Sequence, residues 1–197
     1  LRGEMGMPSP VDIVQRARER GIELSPADLW ALAPLQQRYI AYFGPPPFVT
    51  SFICGLVSDA SVHSILDVWA GVGATIIPLT RNRKPETAIA LEQNTSSLHA
   101  GQLLSEGLGI DWRLGMPDDA LTELQRAFDV VVSCGPLGMA PQSARIEVDE
   151  EAIALRDDAN YLTMLRAAQL LAPEGLGVFL TAPSFPLRRG GRRVVDN

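Results

Sequence analysis

Apolar and polar positions change rhythm once along the chain, near residue 63. Before that point the pattern is helical. Ser9-Pro10-Val11-Asp12 offers a cap, a proline at the first helical position and an acid in the first turn, and Gly21 is a natural stop. Ser25-Pro26-Ala27-Asp28 repeats the device, with no fixed-period repeat between the two. Pro34 is expected to break or kink the second helix, and Gly44-Pro45-Pro46-Pro47 to form a rigid extended turn that no helix includes. A third helix is predicted to start near Phe48, with Phe48, Phe52, Leu56 and Val57 at helical spacing on the packed face.

From residue 63 short apolar runs alternate with amphipathic stretches. Strands are predicted over 63–70, 87–92, 111–114, 128–134 and 176–182, and helices over 73–81, 95–106, 118–126 and 158–171. Alternation of this kind requires right-handed crossovers and gives an α/β fold, a Rossmann-like doubly wound parallel sheet of about five strands. The near-continuous apolar runs Ile89-Ala90-Leu91 and Val130-Val131-Val132 suit strands buried on both faces. The chain is expected to divide into an N-terminal helical segment, 1–47, and a sheet domain, 48–197.

With 197 residues, 46% hydrophobic and 20% charged, the composition is that of a globular protein. A chain of this length buries roughly 70% of the surface its unfolded form exposes, so it needs no disulfide or metal to hold a core. Cys54 and Cys134 imply neither a disulfide framework nor a zinc cluster, and His63 and His99 are too few to make a metal site. This cysteine usage suits a reducing, cytoplasmic setting. No apolar run approaches a membrane span, and the start lacks a signal-peptide pattern. The chain begins at Leu1 with no initiator methionine, as an excised piece or processed product would.

A net charge of −6 excludes the whole chain as an electrostatic nucleic-acid binder, so any such contact is local. Arg188, Arg189, Arg192 and Arg193 crowd the end, and are read as a solvated terminus, with a phosphate-contacting patch as the alternative. The acidic run Glu147, Asp149, Glu150 and Glu151 would repel phosphates and is read as a solvated helix start.

In a doubly wound sheet the ligand lies beyond the carboxyl ends of the strands, near the topological switch point. The first strand ends there in Asp67-Val68-Trp69-Ala70-Gly71-Val72-Gly73. Two glycines let a backbone approach a ligand closely, and the next helix aims its amides at the same place. Glu92, 19 residues beyond Gly73 at the end of the second strand, can accept hydrogen bonds from both ribose hydroxyls of a nucleoside. The third glycine of a dinucleotide fingerprint would stand at position 76, which is Ile76 and argues against a nicotinamide oxidoreductase. Asp67 points the same way, since it would repel a pyrophosphate and suits a ligand carrying ammonium or sulfonium charge.

These residues resemble the cofactor-binding segment of class I S-adenosylmethionine-dependent methyltransferases, and further segments resemble the N-6 DNA methylase family, which includes the modification subunits of type I restriction systems. Phe43-Gly44-Pro45-Pro46-Pro47-Phe48-Val49 resembles the Phe-Tyr-Thr-Pro segment that borders the cofactor, with Gly44 and Pro45 where Tyr and Thr belong. Phe128-Asp129-Val130-Val131-Val132-Ser133-Cys134-Gly135-Pro136-Leu137 resembles the strand that carries the Asn-Pro-Pro-Phe motif. Leu171-Ala172-Pro173-Glu174-Gly175-Leu176-Gly177-Val178, with Arg189-Gly190-Gly191 downstream, resembles the next strand and an Arg-Gly-Gly turn.

The resemblance covers the chain from about Phe43 to the end. It implies S-adenosylmethionine as cofactor, held by Phe43, Pro46, Asp67, Ala70, Gly71, Gly73 and Glu92, and methyl transfer to the exocyclic amine of adenine in DNA at Cys134, Pro136 and Leu137. It also implies DNA as partner, reached through a longer parent protein or a target-recognition subunit, and a sheet truncated before the family's last two strands.

In the family the Asn side chain and the carbonyl after it accept the amine hydrogens, and the aromatic residue stacks on a base extruded from the duplex. Cys134 is a poor acceptor and Leu137 has no ring. Losing one preorganised hydrogen-bonding group costs roughly 100- to 1,000-fold in rate, so a degenerate module that binds cofactor or partners without turnover is the alternative. Cys134 precedes Gly135-Pro136 with no histidine or lysine nearby, so it is read as a small buried apolar residue and not as a nucleophile.

Overall fold

The computed structural model describes residues 8–33, 44–58, 61–125, 127–135, 141–148 and 151–181, without the side chains of residues 118, 141–148 and 151–161. Two capped helices open it. In α1 (Pro10–Glu19) the Asp12 carboxylate accepts from the Ser9 N–H at 3.0 Å while the Ser9 hydroxyl accepts from the Asp12 N–H at 3.4 Å. Ser25 and Asp28 close the same reciprocal box on α2 (Pro26–Leu32), at 2.8 and 3.2 Å. Pro34 lies outside the described residues.

Pro47 is the first residue of α3 (Pro47–Leu56), so the proline turn does not exclude the helix as expected; proline lacks only an N–H that the first turn leaves unpaired anyway. The packed face of α3 also differs. Ile53 and Val57 are buried, while Phe48, Phe52 and Leu56 are 74%, 66% and 49% exposed. The helix carries no charge on any side, so apolar spacing alone could not choose between two faces one residue apart.

Five strands follow: β1 (Ser64–Asp67), β2 (Thr87–Glu92), β3 (Ile110–Leu114), β4 (Phe128–Ser133) and, late in the chain, a strand over Leu171–Phe179. They form one all-parallel sheet in the order β3, β2, β1, β4, then the late strand, with the connecting helices α4 (Ile76–Arg83), α5 (Thr95–Leu104) and α6 (Pro117–Thr122). This is the expected doubly wound Rossmann-like arrangement. The sheet separates two apolar cores. Ile65, Ala90, Val130 and Val132 share one with Val14, Leu29, Ile53 and Ile76, and Leu66, Ile89, Leu91 and Val131 share the other with Leu121, Leu124 and Ala167.

Of the acidic run, Glu147 and Glu151 lie in strands and not at a helix start, and Asp149 and Glu150 lie outside the described residues. Residues Pro141–Val148 (β5) and Glu151–Asp158 (β6) pair antiparallel as a ribbon outside the main sheet, and α7 (Ala159–Ala168) follows directly. Apolar residues alternate with polar ones along Ser143-Ala144-Arg145-Ile146-Glu147-Val148, the period of a strand, which the surrounding acids obscured. The last strand, β7 (Leu171–Phe179), begins five residues before the expected position. Leu171 pairs with Phe128 and Leu176 with Val130, so Ala172–Gly175 bulge out, with Glu174 at φ +64°. No helix among the described residues is long and apolar enough to cross a membrane.

Candidate functional site

The strand order reverses between β1 and β4, where consecutive connections leave in opposite directions and open a crevice at the carboxyl ends. Asp67 ends β1, Glu92 ends β2, and Cys134 follows β4. The chain between β1 and α4 turns through Gly71 at φ +57° and Gly73 at φ +87°, where an L side chain is strained. A Cβ on Gly73 would also stand 2.5 Å from Ile77 Cδ1. The Gly73 N–H donates to the Ala70 carbonyl at 2.8 Å, and the Ala70 N–H to Leu91 at 3.0 Å, so the loop continues the ladder of β2.

Glu92 is only 3% exposed and folds back on this loop. Its carboxylate accepts from the Gly71 N–H at 2.8 Å and the Asn94 N–H at 2.6 Å, and a third backbone N–H, that of Gln93, also donates to it. Burial still raises its pKa, against those hydrogen bonds. Asp67 is 2% exposed and accepts from the backbone N–H groups of Trp69 and Ile76. Burial, helped by the Glu92 charge, pushes its pKa up to about 7. Two buried carboxyl groups thus flank a loop of backbone amides, a setting that favours a cation and disfavours a phosphate.

Cys134 joins this group. Burial, with the nearby Asp67 charge, pushes its thiol up to about 12, while a hydrogen bond with the Thr75 side chain acts the other way. A thiol so placed is no nucleophile at neutral pH. Cys54 is half-buried with a pKa also raised by burial. Iodoacetamide on the folded protein is expected to alkylate Cys54 first and Cys134 only on unfolding. Mass spectrometry of the labelled peptides checks the order, and equally fast labelling of Cys134 would contradict its placement.

The structure therefore brings Asp67, Ala70, Gly71, Gly73, Glu92 and Cys134 to one sheet end. The turn that holds Pro46 lies beside them: a Cβ on Gly44 would stand 2.9 Å from Ala74 Cβ, and the Pro46 carbonyl accepts from Val49 and Thr50 at the start of α3. Phe43, Pro136 and Leu137 lie outside the described residues. Three polar residues here were not singled out from sequence. Thr75 meets the Cys134 thiol, and the Trp69 Nε1 and Ser133 hydroxyl are buried with no partner among the described residues. Their one sequence signal was position, since each lies within two residues of the end of a strand or of the glycine loop.

No protein-family model and no curated protein matches the chain. Solved structures do. The type I restriction-modification system methyltransferase subunit of Streptococcus thermophilus is 13% identical, with a TM-score of 0.56 over 77% of this chain and 36% of its own. A Pyrococcus horikoshii protein assigned as an RNA methyltransferase is 13% identical, with a TM-score of 0.52 over 77% and 65%. A Klebsiella pneumoniae protein assigned as an O-methyltransferase is 16% identical, with a TM-score of 0.52 over 90% and 67%. The chain thus spans about a third to two thirds of the length of these structures. What it shares with them is the class I methyltransferase fold, on which those proteins carry different acceptor chemistries.

Proposed function

We propose that this chain binds S-adenosylmethionine at the β1–β2 sheet end and is a methyltransferase domain of the N-6 DNA methylase kind, directed at the exocyclic amine of adenine. The observation that carries the reading is the pair of buried carboxyl groups, Asp67 and Glu92, on either side of a positive-φ glycine loop at the switch point. When bound, the cofactor supplies a methyl group on a positively charged sulfur. Asp67 would provide the opposing charge, and the positive-φ turn at Gly71 and Gly73 would bring the backbone close to the ligand. A carboxylate has about four lone-pair positions. Backbone N–H groups already engage three on Glu92, which leaves one position from which its carboxylate would hold a ribose hydroxyl.

DNA would reach the site through a longer parent protein or a target-recognition subunit. A second reading rests on Cys134. A protonated thiol does not take up the amine hydrogens that steer a nitrogen lone pair toward the methyl group, which favours a module that binds cofactor without turnover.

Transfer of a labelled methyl group to adenine-containing duplex DNA separates the two. Adenine labelling by the parent protein supports the methylase. Cofactor binding without labelling, converted to labelling by Cys134→Asn with Leu137→Phe, supports the degenerate module. Neither binding nor labelling overturns both.

A further inference from the structure

We infer that a cavity between the N-terminal helices and α4 is a second ligand site, built for a small molecule with an apolar ring and a carboxylate. The cavity has a volume of about 180 Å³ and opens between the start of α2, the turn before α3, and the outer face of α4. A dry cavity of roughly 150 Å³ accommodates benzene, so the space suits one ring with a short substituent.

Four prolines line it, Pro26, Pro45, Pro47 and Pro78, with Ile77 as a further apolar wall. Proline backbones have a fixed φ, so the walls are set before a ligand arrives and little ordering entropy is lost on binding. Ser25, Thr50, Ser51 and Arg81 break the apolar lining. The buried Thr50 hydroxyl has no partner among the described residues, and a buried hydroxyl left unpaired is costly. The exposed Arg81 makes no ion pair among the described residues, and its guanidinium reaches one carbonyl, that of Leu104, at 3.4 Å. An apolar body packs against the prolines while an anion pairs with Arg81.

The site is distinct from the glycine loop but shares a wall with it. Ala74, which follows Gly73, lines the cavity, so an occupant presses on the segment that leads into α4.

Benzoate and the uncharged benzyl alcohol are the probes, titrated into the ¹⁵N-labelled protein and followed by amide shifts. Benzoate is expected to move the amides of Thr50, Ala74 and Ile77 and to bind at least about tenfold more tightly than benzyl alcohol, the gain of one charge-assisted hydrogen bond. Arg81→Gln should reduce benzoate to the level of the alcohol while the unperturbed spectrum reports an intact fold. Ala27→Trp, which fills the space, should abolish both. Equal binding of the two probes, benzoate binding unchanged in Arg81→Gln, shifts confined to residues remote from the cavity, or no shift at millimolar probe would each overturn the inference.

Discussion

Near pH 8 the Asp67→Asn variant is expected to unfold at a higher urea concentration than the parent protein, and the gap should close as the pH falls toward 4. Burial, the largest cause, holds the folded Asp67 carboxyl at about 7 against an ordinary 3.8, so the folded state keeps its proton where the unfolded chain has lost it. A raised folded pKa contributes stability that is complete below the ordinary carboxylate value and lost as pH rises through the folded one. A difference of about three units corresponds to a ceiling of about 4 kcal/mol above pH 7. Asn keeps the size and one acceptor for the Trp69 or Ile76 N–H but cannot ionise, so it should recover much of that loss. Urea midpoints from pH 4 to 8 measure it, and a gap independent of pH would contradict the burial of a titrating carboxyl. The same change removes the charge proposed to face the ligand's cation, so stability and binding should move in opposite directions.

The second large effect concerns Gly101, inside α5 against the indole of Trp112. Helix propensity alone makes Gly101→Ala stabilising by about 1 kcal/mol. Sterics oppose it, because an added Cβ would overlap three atoms of the Trp112 ring. The ring is not free to withdraw: its Nε1–H donates to the Ser105 hydroxyl at 3.0 Å, and that hydroxyl donates to the Gly101 carbonyl at 2.7 Å. Overpacking costs about 1–3 kcal/mol and a broken hydrogen bond about 1 more, so Gly101→Ala should be destabilised by about 2 kcal/mol net. Trp112→Leu in the same chain should restore stability beyond the sum of the single changes. A Gly101→Ala protein more stable than its parent would show that the indole does not occupy this space. The same ring stands 3.2 Å from a Cβ placed on Gly73, so the indole also underlies the glycine loop.

Much of the fold was legible because the central strands of a parallel sheet are buried on both faces. Ile89-Ala90-Leu91 and Val130-Val131-Val132 could satisfy no other environment at that length. The features that escaped depend on partners remote in sequence. The bulge of β7 follows from pairing Leu171 with Phe128, whereas Pro173 and Gly175 alone read as a turn before a strand. The β5–β6 ribbon was hidden beneath its acids. At the site, Asp67, Gly71, Gly73 and Glu92 could be found because strand ends and spacing place them together. That Glu92 would turn back onto the Gly71 amide, and that Cys134 would meet Thr75 beside Asp67, required the register of β1 between β2 and β4.

Calorimetric titration of the protein with S-adenosylmethionine, beside an Asp67→Ala, Glu92→Ala variant shown to be folded, decides whether this sheet end holds the cofactor. Micromolar binding by the parent that is lost in the variant is the expected result. An absence of binding by the parent, or binding that survives loss of both carboxylates, would contradict a nucleoside cofactor site at this sheet end.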